Sequence, residues 1–132
     1  MAAGIATERL IFAPRVSPAE YLARFQLADL VLDTFPYNAG TTASDALWAG
    51  LPVLTAPGRS FASRMAASLL HAADLPELVA DDGDDYERRA IDLATHPERL
   101  AALRQRLVDR RDHCALFDTA RFTRNLERAF EG

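Results

Sequence analysis

Hydrophobic residues in this chain occur in short runs separated by longer segments of helical periodicity. The runs Leu10–Ala13 and Leu30–Leu32 predict two strands, and the second is typical of a parallel strand buried on both faces. Pro52–Thr55 predicts a third strand and Leu75–Ala80 a fourth. Strands that alternate with helices indicate an α/β fold, with a Rossmann-like parallel sheet, flanking helices and right-handed crossovers.

Capping residues place the first two helices. Pro18–Phe25 follows Ser17, a favourable N-cap, and begins with proline at the first helical position. Thr41–Ala49 forms the second helix, because Gly50 suits a left-handed C-cap and the proline at position 52 prevents continuation. This second helix directly follows the strand predicted at Leu30–Leu32.

The remainder of the chain is predominantly helical. Ser60 is predicted to cap a helix in which apolar residues recur every four positions, at Phe61, Met65, Leu69 and Ala73. The acidic run 81–85 predicts an exposed loop that favours the start of the next helix. The C-terminal third is predicted to be helical, with Asp118 as the N-cap of its last helix. Two further apolar stripes predict buried helix faces there: Leu100, Leu103 and Leu107, then Phe122, Leu126 and Phe130.

Composition narrows the possible functions. The 132 residues suit one domain, with 1–8 expected to be the start of a linker. A net charge of −4 argues against nucleic-acid binding, and no apolar run reaches membrane-spanning length. Cys114 is the only cysteine, and the three histidines lack metal-ligand spacing, so we expect no metal. A soluble cytoplasmic protein is the default expectation.

The start of the second predicted helix is the candidate binding site. In an open α/β sheet, ligands bind beyond the carboxyl ends of the strands, and the strand Leu30–Leu32 leads into this helix. The first-turn amides of Thr41, Thr42 and Ala43 have no partner inside a helix, and the helix dipole adds positive potential there. Gly40 permits close approach of a phosphate. This pattern predicts an anion site, although the same residues are also ordinary helix caps.

Three charged side chains extend this hypothesis. Asp45 lies four residues after Thr41 on the same helix face, where a carboxylate suits ribose hydroxyls better than phosphate. Arg59 and Arg64 flank the next predicted helix start, near a strand end. Either arginine could reach a phosphate or form an ordinary surface ion pair, and both alternatives remain open. All fifteen basic residues are arginines, because the chain has no lysine.

The segment QLADLVLDTFPYNAGTTASDALWAGLPVLTAPGRSFASRMAASLL resembles the C-terminal catalytic half of the O-linked N-acetylglucosamine transferases, in their bacterial tetratricopeptide-repeat and SPINDLY-like branch. The resemblance runs from about Arg9 to Phe130. It implies the GT-B fold, in which two Rossmann-like domains bind a UDP-sugar donor mainly through the C-terminal one. It further implies inverting transfer to protein Ser or Thr without an essential metal or other cofactor.

The resemblance assigns roles to individual residues. Thr41 and Thr42 match the pair that holds the donor diphosphate, and Asp45 matches the carboxylate on the uridine ribose. Arg24, in the helix before the strand at 30–32, matches an arginine near the uracil. All of these are donor-binding roles, and no catalytic residue is expected in this chain.

This chain departs from the family pattern at three positions. Gly40 stands where the animal enzymes have a histidine before the threonine pair. Tyr21 replaces a histidine near the base, and its ring could stack on uracil. Pro18 aligns with a lysine of the loop on the uracil side. These differences bear on the nucleotide and the sugar more than on phosphate binding.

The family's candidate general base and phosphate-binding lysine belong to upstream segments that this chain does not contain. We therefore expect the donor-binding portion, with UDP-N-acetylglucosamine as donor, of a transferase that meets its protein acceptor through N-terminal repeats and a further domain. Such a portion would not catalyse transfer alone. Two alternatives remain: a non-catalytic interaction or assembly module, and another nucleotide-sugar enzyme such as a fucosyl- or glucosyltransferase or an epimerase. A bare sheet edge would also favour self-association.

Overall fold

A short parallel sheet forms the centre of the computed structural model, which describes residues 4–131. Strand β1 is Val31–Leu32 and strand β2 is Val53–Leu54, paired with Val31 opposite Val53. A single parallel bridge between Thr55 and Val79 continues the sheet beyond β2. The strands predicted at 30–32 and 52–55 are therefore confirmed. The strand predicted at 75–80 is reduced to this bridge, because a 3₁₀ turn occupies residues 76–78.

Residues 4–131 contain six α-helices in addition to the two strands. They are α1 Pro18–Arg24, α2 Thr41–Trp48, α3 Met65–Ala72, α4 Gly83–Thr95, α5 Pro97–Arg110 and α6 Thr119–Glu131. Short 3₁₀ turns lie at Thr7–Arg9, Phe25–Leu27 and Pro76–Leu78. The order β1–α2–β2–α3 confirms the predicted α/β alternation, and α4 to α6 confirm the predicted helical C-terminal third.

The ends of α1 and α2 form as the capping signals predict. Ser17 and Glu20 make a reciprocal capping box at the start of α1. Gly50 has φ +80°, its amide donates to Leu47 at 3.1 Å, and the Leu51 amide donates to Ala46 at 2.8 Å. These two hydrogen bonds form the Schellman motif, which satisfies the last carbonyls of α2 and turns the chain into β2.

Leucine side chains from the sheet and from α2, α3 and α5 make one core. The largest fully buried apolar side chains are those of Leu47, Leu51, Val53, Leu54, Leu70, Leu75 and Leu78. The stripe predicted on α5, at Leu100, Leu103 and Leu107, is buried in the same cluster. The core therefore fixes α2 and β2 against each other, and with them the carboxyl edge of the sheet.

The strand predicted at 10–13 is wrong. These residues have no regular secondary structure and pair with no strand among the described residues, and the side chains of Ile11 and Phe12 are 87% and 91% exposed. The expectation that the 30–32 strand is buried on both faces is also wrong, since Leu32 is 55% exposed. Within residues 4–131 β1 pairs with β2 alone, so one edge of β1 is bare. Self-association through that edge stays a prediction.

The third helix begins later than predicted, at Met65 rather than directly after Ser60. Ser60 and Ser63 instead bond to each other and to nearby backbone, including Ser60 N to Ser63 Oγ at 3.0 Å. Serine side chains that satisfy the local backbone compete with helix formation, which explains the delayed start. Phe61 consequently lies outside the helix and is 80% exposed.

The last helix is capped as predicted but not buried as predicted. The Asp118 carboxylate accepts a hydrogen bond from the Arg121 amide at 2.8 Å. The apolar stripe at Phe122, Leu126 and Phe130 is exposed, by 63%, 46% and 85%. Amphipathic periodicity predicts that a helix has an apolar face, but it does not determine what covers that face.

Candidate functional site

A buried carboxylate organises the loop between β1 and α2. Asp33 is only 5% exposed, and one of its oxygens accepts hydrogen bonds from the amides of Thr34 at 2.9 Å and Ala39 at 2.8 Å. Its other oxygen accepts from the Thr55 hydroxyl at 2.7 Å, across the sheet. Because Asp33 binds both ends of the loop and the neighbouring strand end, it sets the position at which α2 begins.

Asn38 gives the same loop a second internal support. The side chain is 1% exposed and donates from Nδ2 to the Thr34 carbonyl at 2.9 Å. The backbone N–H of Asn38 donates to the Ala62 carbonyl at 3.0 Å, and the Thr34 hydroxyl donates to the Tyr37 carbonyl at 2.8 Å. The loop is therefore held from within before any ligand arrives, a requirement for precise binding.

Tyr86, on α4, ties the helical third to the end of β1. Its hydroxyl donates to the Asp33 carbonyl at 2.9 Å. Burial, together with the nearby Asp33 carboxylate, raises the pKa of the Tyr86 phenol above its ordinary value. The phenol accordingly keeps its proton at neutral pH and remains a hydrogen-bond donor.

Helix α2 begins without a side-chain cap. Gly40 occupies the N-cap position, and the first amide that bonds within the helix is that of Ser44, to the Gly40 carbonyl at 3.0 Å. No acceptor among the described residues takes a hydrogen bond from the amides of Thr41, Thr42 or Ala43. Three orphan donors therefore remain at the positive end of the helix dipole.

These residues border an open cleft of about 920 Å³. Its polar lining includes Thr34, Asn38, Gly40, Thr41, Thr42 and Ser44, and its apolar lining includes Leu32, Met65 and Leu69. No lysine or arginine of the described chain lines it, and its one carboxylate, on Asp33, is engaged by the loop. The polar part of this lining thus consists mainly of neutral amide and hydroxyl groups next to a helix N-terminus, the arrangement that favours an anion.

The structure brings some of the predicted site residues together and separates others. Gly40, Thr41 and Thr42 line the cleft side by side. Asp45 is half-buried on α2 and is not part of the lining. Tyr21 and Arg24 lie on α1, where Tyr21 packs edge-on against Phe25 at 5.0 Å and Arg24 donates twice to the Pro14 carbonyl at 3.1 Å.

Sequence reasoning missed the residues that support the site, namely Asp33, Thr34, Asn38 and Thr55. The available signal was the aspartate directly after the apolar run at 30–32, since a carboxylate at a strand end commonly binds the amides of the following loop. Thr55 gave no such signal. Its hydroxyl meets Asp33 only because β1 and β2 are neighbours in the sheet.

Comparison with known proteins identifies the family. The model of glycosyl transferase family 41 matches residues 1–126. The chain belongs to this family. A mutant of the O-GlcNAc transferase of Thermobaculum terrenum, a solved structure, superposes on 96% of the chain with a TM-score of 0.90 at 37% sequence identity. The predicted fold class, the Rossmann-like C-terminal part of a GT-B glycosyltransferase, is thereby confirmed.

Curated family 41 relatives agree with this result. The UDP-N-acetylglucosamine–peptide N-acetylglucosaminyltransferase of Caenorhabditis elegans is 38% identical over 94% of the chain. A protein of Arabidopsis thaliana named "Probable UDP-N-acetylglucosamine--peptide N-acetylglucosaminyltransferase SEC" is 38% identical over 98% of it. The chain spans 11% and 13% of these two relatives and 24% of the Thermobaculum chain.

None of the helices in the described region is long and apolar enough to cross a membrane.

Proposed function

We propose that this chain is the donor-binding portion of an inverting protein O-glycosyltransferase that acts on Ser or Thr. The cleft at the start of α2 receives the diphosphate of a UDP-sugar. The observation that supports this proposal is the set of unpartnered amides at Thr41–Ala43, at the end of α2 where Thr41 and Thr42 line that cleft. Membership of family 41 supplies the class of reaction.

The proposed contacts suit a diphosphate that becomes a leaving group. Three amides and the helix dipole stabilise negative charge without a cation, and the hydroxyls of Thr41 and Thr42 add two short donors. Both threonines are exposed, so a ligand can reach these donors without displacing the core. Because the loop is held by Asp33 and Asn38, the donors need little reorganisation as charge develops on the departing UDP.

The nucleoside end of the donor is assigned to three other side chains. Asp45 accepts hydrogen bonds from the ribose hydroxyls, and Tyr21 and Arg24 lie near the uracil. Relatives named for UDP-N-acetylglucosamine make this sugar nucleotide the first donor to test. We assign no catalytic residue to this chain and propose donor binding as its role.

The test is a UDP titration of the chain followed by amide NMR. We expect UDP to shift the amide resonances of Thr41, Thr42 and Ala43, and uridine, which lacks phosphate, to leave them unchanged. Thr41→Ala and Thr42→Ala should each weaken UDP binding by about fivefold, the equivalent of one hydrogen bond of about 1 kcal/mol.

Thr119→Ala provides the matched control, because Thr119 is the exposed first residue of α6 as Thr41 is of α2. This variant should bind UDP like the unmodified chain. If UDP leaves the Thr41–Ala43 amides unshifted, or if the control loses as much affinity, the donor assignment fails. A non-catalytic interaction module would then be the better account of the same fold.

A further inference from the structure

A second cleft, of about 670 Å³, lies at the carboxyl end of β2 and the start of α3. Its lining includes the side chains of Arg59, Phe61, Arg64, Ser68, His71 and Val79. Met65 lines both this cleft and the one at α2, so the two are immediate neighbours. We call this second cavity the Arg59 cleft.

The turn that presents Arg59 and Phe61 has a fixed shape. The Gly58 amide donates to the Ser63 carbonyl at 2.8 Å, and the Ser60 amide donates to Ser63 Oγ at 3.0 Å. A Cβ atom on Gly58 would lie 2.6 Å from Ser63 Oγ, a distance at which something must shift. Glycine therefore permits this tight closure, and Arg59 and Phe61 are held at the apex of a closed loop.

The charges of the Arg59 cleft are not neutralised within the described chain. The guanidinium groups of Arg59 and Arg64 make no ion pair and no hydrogen bond with any residue between positions 4 and 131. No aspartate or glutamate among the described residues lines the cleft. By contrast, six arginines of α4 and α5 pair with carboxylates: Arg88, Arg89, Arg99, Arg104, Arg106 and Arg110. The guanidinium groups of Arg59 and Arg64 therefore remain available to an external anion.

We propose that the Arg59 cleft binds an acidic stretch of the polypeptide acceptor. This inference rests on the proposed function, which requires a polypeptide beside the donor. Phe61 is 80% exposed and Val79 adds a further apolar side chain, a mixed surface that suits a peptide better than a small anion. The net charge of −4 argues against nucleic acid. Because Met65 borders both clefts, a peptide bound here passes beside the donor.

The experiment measures binding of a fluorescein-labelled peptide to the full chain by fluorescence anisotropy. The probe contains one serine flanked by glutamates, and its partner peptide has glutamines instead. We expect the glutamate peptide to bind more tightly, with an affinity that falls as salt is added. The double variant Arg59→Gln/Arg64→Gln should lose about fivefold, as expected for two exposed ion pairs.

Arg124→Gln/Arg128→Gln is the matched control, since both arginines are exposed on α6 and the loss of charge is the same. It should bind the glutamate peptide normally. The proposal is overturned if the glutamine peptide binds equally well, if the control loses as much affinity, or if inorganic pyrophosphate binds the cleft more tightly than the peptide.

A UDP titration of the same variants separates this inference from the proposed function. The Arg59→Gln/Arg64→Gln chain should retain the UDP-induced shifts at Thr41–Ala43. If the unmodified chain shows no preference for the glutamate peptide but still responds to UDP, only the proposal for the Arg59 cleft fails. If the unmodified chain prefers the glutamate peptide but shows no response to UDP, only the donor-site proposal fails.

Discussion

The first-turn amides of α2 and of α4 both lack acceptors inside their helix, and the two helix starts differ in whether a side chain supplies one. At α4 the Asp82 carboxylate accepts from the Asp85 amide at 2.8 Å, and Asp85 accepts from the Asp81 amide at 2.9 Å. The Asp85 carboxylate also pairs with Arg89 at 2.7 Å. At α2 the N-cap is Gly40, which has no side chain to offer. One helix start thus receives a side-chain cap from its own sequence, and the other does not.

The position of the nearest carboxylate explains this difference. Asp33 lies beneath the start of α2 and binds the amides of Thr34 and Ala39, which precede the helix. It therefore orders the loop without occupying the amides of Thr41–Ala43. At α4 the carboxylates bind the first-turn region itself. The contrast shows how one residue type can stabilise a helix start in one place and prepare a binding site in another.

Replacement of Asp33 by alanine should have the largest effect. Three donors, on Thr34, Ala39 and Thr55, would lose their acceptor in a mostly buried setting. With about 1 kcal/mol for each unpaired donor, we expect Asp33→Ala to lower the free energy of unfolding by about 3 kcal/mol. Urea denaturation followed by circular dichroism measures this loss.

Asp29→Ala is the control for this prediction. Its side chain is 87% exposed and lies 3.7 Å from Arg104, a surface ion pair. Such a pair contributes at most about 1 kcal/mol, so this variant should remain close to the unmodified chain in stability. Equal losses in the two variants would contradict the role assigned to the buried carboxylate.

Exchange of the two helix starts gives the next largest effect. Gly40→Asp places on α2 the type of cap that α4 already has. The new carboxylate would accept hydrogen bonds from the free amides and would repel a diphosphate. A Cβ at position 40 would lie 3.4 Å from the Met65 Cγ atom, an acceptable contact. We expect UDP affinity to fall by about tenfold without loss of stability. Calorimetric titration and thermal unfolding measure both quantities.

Gly83→Asp is the counterpart on α4. A Cβ there would meet no atom within 4 Å, and the helix is already capped by Asp82. It adds the same charge as Gly40→Asp but should leave UDP affinity unchanged. If both variants weakened UDP binding equally, net charge rather than the α2 start would be responsible.

The helix start at α2 was predictable because its determinants are local. Gly40, Thr41 and Gly50 act through backbone geometry and first-turn amides within a few residues, and these signals survive in a single sequence. The capping residues Ser17 and Asp118 were predicted for the same reason. The resemblance to the transferase family then gave the fold class, which the structural comparison confirms.

The features that were missed depend on distant partners. The pattern at 10–13 satisfies the local criteria for a strand, but a strand also needs a neighbour, which it lacks among the described residues. The bond from Thr55 to Asp33 joins residues 22 positions apart and follows from sheet order. Whether the stripe on α6 is covered is likewise a property of tertiary packing.

The smallest expected effect is on the pH dependence of stability, and it arises at the start of α4 rather than at that of α2. The Arg89 side chain, followed by the Asp81 amide, lowers the pKa of the buried Asp85 carboxyl through hydrogen bonds. A lowered pKa in the folded state stabilises α4 at pH values above the ordinary aspartate pKa of about 3.9, and this stabilisation disappears as the pH falls through the lowered value. Asp85→Asn should therefore flatten the acid limb of the stability curve. Asp84→Asn, an exposed neighbour, should leave the curve unchanged, and an equal flattening by both variants would refute the role of the Asp85 network.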